Sequence, residues 1–146
     1  AAIKQLQSRQ DFKVLFLGDG DPAIKKQAQQ LGTTPGWVEK VEPYFTQTKF
    51  VFTSRYLAIL EAFAAKKIVF AVYDPQDQVK KDYLQLAPFA EWLVLASSGQ
   101  DLAEKVEFYQ QHSTQAQTKI EAAAHWVQAQ TWSKLAQIYQ ELWYAA

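Results

Sequence analysis

The sequence predicts a single α/β domain built on a doubly wound parallel sheet and closed by a C-terminal helical segment. Three observations carry this. Short, uninterrupted apolar runs alternate with longer amphipathic ones, the habit of strands buried on both faces beneath helices. Each apolar run passes at its C-terminal end into small, polar or acidic turn residues, as strand-to-helix junctions do. The 146 residues fit one ordinary domain, and 49% hydrophobic residues with five Trp, seven Tyr and nine Phe are ample for its core.

Taken in order, a Gln-rich amphipathic helix is expected over residues 1–9 and an apolar strand over 13–17, running into Gly18-Asp19-Gly20. A polar helix over 22–31 follows, with Pro22 suited to its first position. Residues 33–41 hold a further short strand. The Lys49-Phe50-Val51-Phe52 strand leads through Thr53-Ser54 into a helix over 56–66, rich in Ala and Leu and so close against the sheet. A strand over 68–73 ends at Asp74-Pro75, and a short helix over 77–86 stops near Pro88. After a strand over 92–95, Ser98 and Asp101 have capping-box spacing, and Leu102, Val106 and Tyr109 mark a helical face. The stripe Ile120, Ala124, Val127, Leu135, Ile138 and Leu142 predicts one long C-terminal helix or a pair broken near Thr131. Glutamine is abundant but scattered over polar faces, so it reads as surface composition.

Composition excludes several function classes. Fifteen basic side chains balance fifteen acidic ones, which gives no electrostatic reason to expect a nucleic acid partner. With no Cys, disulfide scaffolds, thiolate zinc sites and thiol nucleophiles are ruled out. His112 and His125 form no ligand pair, so no metal is expected. No apolar run approaches the roughly 20 residues of a membrane span, and a cytoplasmic or membrane-peripheral setting is expected.

Three stretches are candidates for chemistry. Gly18-Asp19-Gly20-Asp21-Pro22 lies where a nucleotide-binding loop belongs, but Ala23 stands at the third glycine of G-x-G-x-x-G and no P-loop Lys follows. Its two acids would repel a pyrophosphate, so a tight turn is preferred over phosphate contact. Thr53-Ser54-Arg55-Tyr56-Leu57 joins a strand to a buried helix, where unpaired backbone N–H groups and the helix dipole gather for a phosphate. Ordinary N-capping by Thr53 or Ser54 explains the same residues. Glu61, alone among apolar neighbours in the second turn, is suited to accept from two vicinal hydroxyls of a ribose; the alternative is an exposed surface Glu.

The stretch from Thr53 through Leu60-Glu61-Ala62-Phe63-Ala64 to Lys66-Lys67-Ile68-Val69 resembles the donor-site signature of retaining family 4 glycosyltransferases, which have the two-domain GT-B fold. Phe16-Leu17-Gly18-Asp19-Gly20 is similar to that family's Gly-x-Gly strand end, residues 38–44 to its base-binding segment, and Thr131-Trp132 through Tyr139 and Leu142 to its closing helix. The resemblance implies a Rossmann-like nucleotide-sugar-binding domain over 1–146, one half of a two-domain enzyme whose missing N-terminal half binds the acceptor. It implies no bound cofactor beyond the nucleotide-sugar substrate. Glu61 would hold the ribose, the amides around Ser54, Arg55, Tyr56 and Leu57 would cradle the diphosphate, Lys40 and Val41 would border the base, and Thr53, Gly18 and Gly20 would complete the donor-nucleotide-binding set. The chain departs from the pattern at Thr53, where the first motif glutamate is expected, and at Ser54 and Tyr56, which replace glycines. It also lacks the family's Gly-Arg and Lys strand. Without those cations the isolated chain is expected not to turn over. Ala at position 1 and the absence of Met agree with a processed or trimmed chain. The alternatives are a non-catalytic module binding a partner protein through its Trp- and Tyr-bearing C-terminal helices, and a sugar-nucleotide epimerase, which shares the architecture.

Overall fold

A computed structural model describes residues 2–9 and 12–144. Five strands and eight α-helices alternate: α1 (Ala2–Arg9), β1 (Leu15–Leu17), α2 (Pro22–Gln29), β2 (Thr33–Gly36), α3 (Glu42–Phe45), β3 (Phe50–Phe52), α4 (Tyr56–Ala64), β4 (Ile68–Val72), α5 (Gln78–Leu86), β5 (Val94–Ala96), α6 (Gly99–Gln111), α7 (Ser113–Gln128) and α8 (Trp132–Tyr144). Every strand pairing is parallel, but the strands form two small sheets, β1-β2 and β3-β4-β5. The protein is therefore α/β, with its parallel strands divided where one sheet was expected. Ala1 of the expected first helix lies outside the described residues.

β4 shows why its sequence is continuously apolar. Ile68 and Phe70 face a core half shared with Leu6 of α1 and Leu102 and Val106 of α6. Val69 and Ala71 face the other half, with Ile59 and Phe63 of α4, Leu84 of α5 and Val127 of α7. Helices thus cover both faces of the three-stranded sheet, and period-2 alternation carries β4 into both halves. β2 is an edge strand, which is why Pro35, with no N–H to donate, is tolerated in it.

Boundaries shift where side chains find other partners. Residues 90–92 form a 3₁₀ turn instead of starting β5, and the Trp92 ring packs on Trp126 with centroids 4.8 Å apart. The expected break near Thr131 is complete: Thr131 caps α8, its hydroxyl accepting the Lys134 N–H at 3.1 Å. α4 ends in a Schellman arrangement, the Lys67 N–H donating to the Ala62 carbonyl at 2.9 Å, with Lys66 in the left-handed region at φ 55°. That conformation suits glycine, so Lys66→Gly is expected to raise the unfolding free energy by about 0.5–1 kcal/mol in urea denaturation.

Asp101 of α6 is the most elaborately held carboxylate. It accepts from the Ser97 N–H at 2.8 Å and pairs with Lys105 at 2.8 Å, while Lys105 also donates to the Leu95 carbonyl at 2.6 Å. Ser98 caps the helix as its spacing predicts, accepting from the Asp101 N–H; the Asp101 carboxylate reaches one residue further back than in a standard box. Burial pushes the Asp101 pKa up, but the Lys105 and Ser97 hydrogen bonds and the Lys105 charge together hold it below the ordinary value. Its contribution to stability is therefore present above the unfolded-state pKa and lost as pH falls through the lower folded one. Asp101→Asn is expected to cost about 1 kcal/mol at neutral pH, a difference that closes near pH 2. Urea unfolding at the two pH values checks it.

α8 stands apart: Trp132 is 81% and Trp143 74% exposed, and none of its residues is buried. No helix among the described residues is long and apolar enough to cross a membrane.

Candidate functional site

Five helices follow a parallel strand, and their first turns differ. α2 is capped by Asp21, whose Oδ1 accepts from the Ala23 N–H at 2.7 Å. α5 is capped by Asp77, which accepts from the Lys80 N–H at 3.0 Å, and α6 by Ser98. The one-turn α3 and the longer α4 have no side-chain cap. Neither Thr53 nor Ser54 fills that role: Arg55 occupies the cap position in extended conformation, and the Thr53 hydroxyl accepts only the Arg55 N–H, at 3.3 Å. The ordinary-capping alternative is thereby corrected. Ile59 is the first α4 residue whose N–H finds an acceptor, the Arg55 carbonyl at 2.9 Å. The N–H groups of Tyr56, Leu57 and Ala58 have no acceptor among the described residues. Together with the helix dipole they form an anion-attracting end.

Of these three residues, Ala58 lines a cavity of about 580 Å³ whose walls also include Thr53, Ser54, Arg55, Glu61 and Val41. Five expected site residues are thus brought to one place. Glu61 is exposed on α4 and its carboxylate has no hydrogen bond or ion pair with a described residue, so it is available to a ligand. Arg55 is exposed at the same rim and is the cation nearest in sequence to the free amides. The site pairs a positive helix end and a guanidinium with an acceptor-only carboxylate about a turn and a half along the helix.

Tyr56 and Leu57 are not among the residues lining this cavity; they line a different, smaller one of about 230 Å³ between α4 and α8, with Leu60, Trp132, Leu135 and Ile138. The amphipathic stripe of α8 was legible in sequence; which helix it meets was not.

Gly18, Gly20 and Lys40 line neither cavity. Gly18 has φ 109° and donates to the Gly36 carbonyl at 2.8 Å, closing the β1-β2 end. Asp19 pairs with Lys25 at 2.6 Å. The chain bends at Gly18 and runs irregularly to Asp21, and both acids are taken up locally, Asp19 by Lys25 and Asp21 by the start of α2. Among the described residues no group of three or more His, Cys, Asp or Glu is placed to hold a metal ion.

Compared with known proteins, the chain matches no family model, and no curated protein matches it.

Proposed function

We propose that the cavity at the start of α4 binds a nucleoside diphosphate, the common part of nucleotide-sugar donors, and that the chain is the donor-binding half of a GT-B glycosyltransferase with a doubly wound, Rossmann-like sheet. The supporting observation is a contrast among the strand-following helices of two turns or more: α2, α5 and α6 are capped by side chains, whereas α4 is not, and its Ala58 lines the cavity that Glu61 also lines.

In this reading the diphosphate oxygens accept from the Tyr56, Leu57 and Ala58 N–H groups, with Arg55 adding charge. Glu61 accepts from the two ribose hydroxyls and sets the nucleotide's orientation, and Val41 borders the base. In the parent enzyme the sugar's bond to the distal phosphate oxygen breaks as the acceptor hydroxyl bonds to the same carbon and passes its proton to the departing phosphate. Negative charge then grows on the departing diphosphate, where the helix end is aimed. Cations supplied from outside residues 1–146 would complete that stabilisation, and the isolated chain binds without turnover. Gly18, Gly20 and Lys40 have no direct contact role in it.

Isothermal titration with UDP, GDP and ADP tests the proposal: at least one should bind with a Kd of about 0.1–1 mM. No heat from any of them would contradict it.

A second reading, a non-catalytic module that docks a partner protein, is favoured by the exposed apolar residues of α8, Trp132, Leu142 and Trp143 among them. The same titration separates the two, since such a module gives no heat with the nucleotides.

A further inference from the structure

α8 carries an apolar face that the rest of the described chain leaves open. Whereas α6 and α7 each bury several residues, α8 buries none. Leu135, Ile138 and Leu142 recur at the alternating three- and four-residue spacing of a helix-pairing seam, and all three are exposed. Two charges border this seam. Lys134 and Glu141 each precede a seam residue by one position, Leu135 and Leu142 respectively, so both lie along the same side of it. They are two turns apart, about 10 Å along the axis, too far for one to neutralise the other. The Lys134 ammonium has no hydrogen bond or ion pair with a described residue. Glu141 has one carboxylate oxygen engaged, accepting from the Gln137 side chain at 2.8 Å.

Opposite charges on one border, placed about the helix centre, make this face complementary to its own copy. Their midpoint falls between Gln137 and Ile138, close to the middle of α8. When two copies pair about a two-fold axis there, residue i of one faces residue j of the other, and j faces i. The helices then run antiparallel. Lys134 of each copy comes beside Glu141 of the other, which gives two ion pairs, while Leu135 and Ile138 meet across the seam. A parallel pair leaves neither charge an opposite partner. The chain's formal net charge of zero sets no long-range repulsion between copies. We propose that α8 is a self-association surface, through which two copies of this chain pair antiparallel with the Lys134–Glu141 contacts setting the direction. Contact between two helices of 13 residues is small, so the dimer is a weak one, with a Kd of about 10–100 µM. This stands on α8 and is independent of the nucleotide proposal.

Sedimentation equilibrium of the whole chain from about 5 to 500 µM tests it, in low salt because exposed ion pairs are screened. The chain should pass from monomer to dimer over that range. Lys134→Glu and Glu141→Lys should each raise the Kd at least about tenfold, since two-fold symmetry turns both ion pairs into like-charge contacts at once. Both side chains are exposed, so both variants keep the fold, which circular dichroism checks. An equal mixture of the two variants should dimerise again, because each supplies the charge that the other has lost. The chain carrying both substitutions should do so as well. A chain that stays monomeric at about 500 µM overturns the inference and leaves the face to a different protein or to a lipid surface. Single variants that dimerise as well as the original chain, or a mixture that stays monomeric, would also overturn it, because copies paired in parallel or through another surface do not sense the exchange.

Discussion

Phe70→Ala is expected to lower the unfolding free energy by about 3–5 kcal/mol. Phe70 sits at the centre of β4 with no exposed surface. Its ring lies 5.5 Å from that of Phe50, 5.4 Å from Phe52 and 6.1 Å from Tyr109, so it ties β3 and α6 to the central strand. Truncation removes the burial and all three ring contacts, and the surrounding strands cannot collapse into the space without giving up their register. Against a typical total of about 5–15 kcal/mol, this is a large share. Urea denaturation followed by circular dichroism measures it. Leu57→Ala is the control: the side chain is 63% exposed, and the expected change is within about 0.5 kcal/mol.

Glu61→Gln is expected to leave stability nearly unchanged and to weaken nucleoside diphosphate binding by about 10- to 50-fold. The separation of the two effects is the point. Glu61 is exposed and its carboxylate has no partner among the described residues, so nothing in the folded chain depends on its charge. A ligand that donates two hydroxyl hydrogen bonds to it does depend on that charge, because charged acceptors bind more strongly than amides. Arg55→Ala should cost less, about threefold, since an exposed guanidinium on a flexible stem is largely screened. Isothermal titration of the three chains with the tightest-binding nucleotide checks both values.

The elements were legible where local chemistry decides them. β4 shows its burial on both faces as an unbroken Ile68–Val72 run, and Ser98 announces α6 through its spacing to Asp101. Thr53 and Ser54 were not legible as uncapped positions. Hydroxyl residues before a helix usually cap it, and only the backbone path through an extended Arg55 sends the Thr53 oxygen to another amide. The division of the strands was also hidden. Sequence periodicity records which residues are buried but not which strand lies beside β1, since pairing is long-range. At the site, gathering Val41 with Thr53, Ser54, Arg55 and Glu61 followed the expectation, whereas Lys40 lies just off the wall that Val41 forms. Alternate side chains on a short connection diverge, and no sequence pattern fixed which of the two turns inward.

The free amides of α4 are proposed as an anion site for a nucleotide. Backbone amide chemical shifts recorded during titration with UDP, GDP and ADP test it most directly. The largest shifts are expected on Tyr56, Leu57 and Ala58, with the capped amides Ala23 of α2 and Lys80 of α5 unmoved. Shifts concentrated at Ala23, or on Leu135 and Ile138 of α8 while the α4 amides stay still, would contradict it, as would no shift at about 10 mM of every nucleotide.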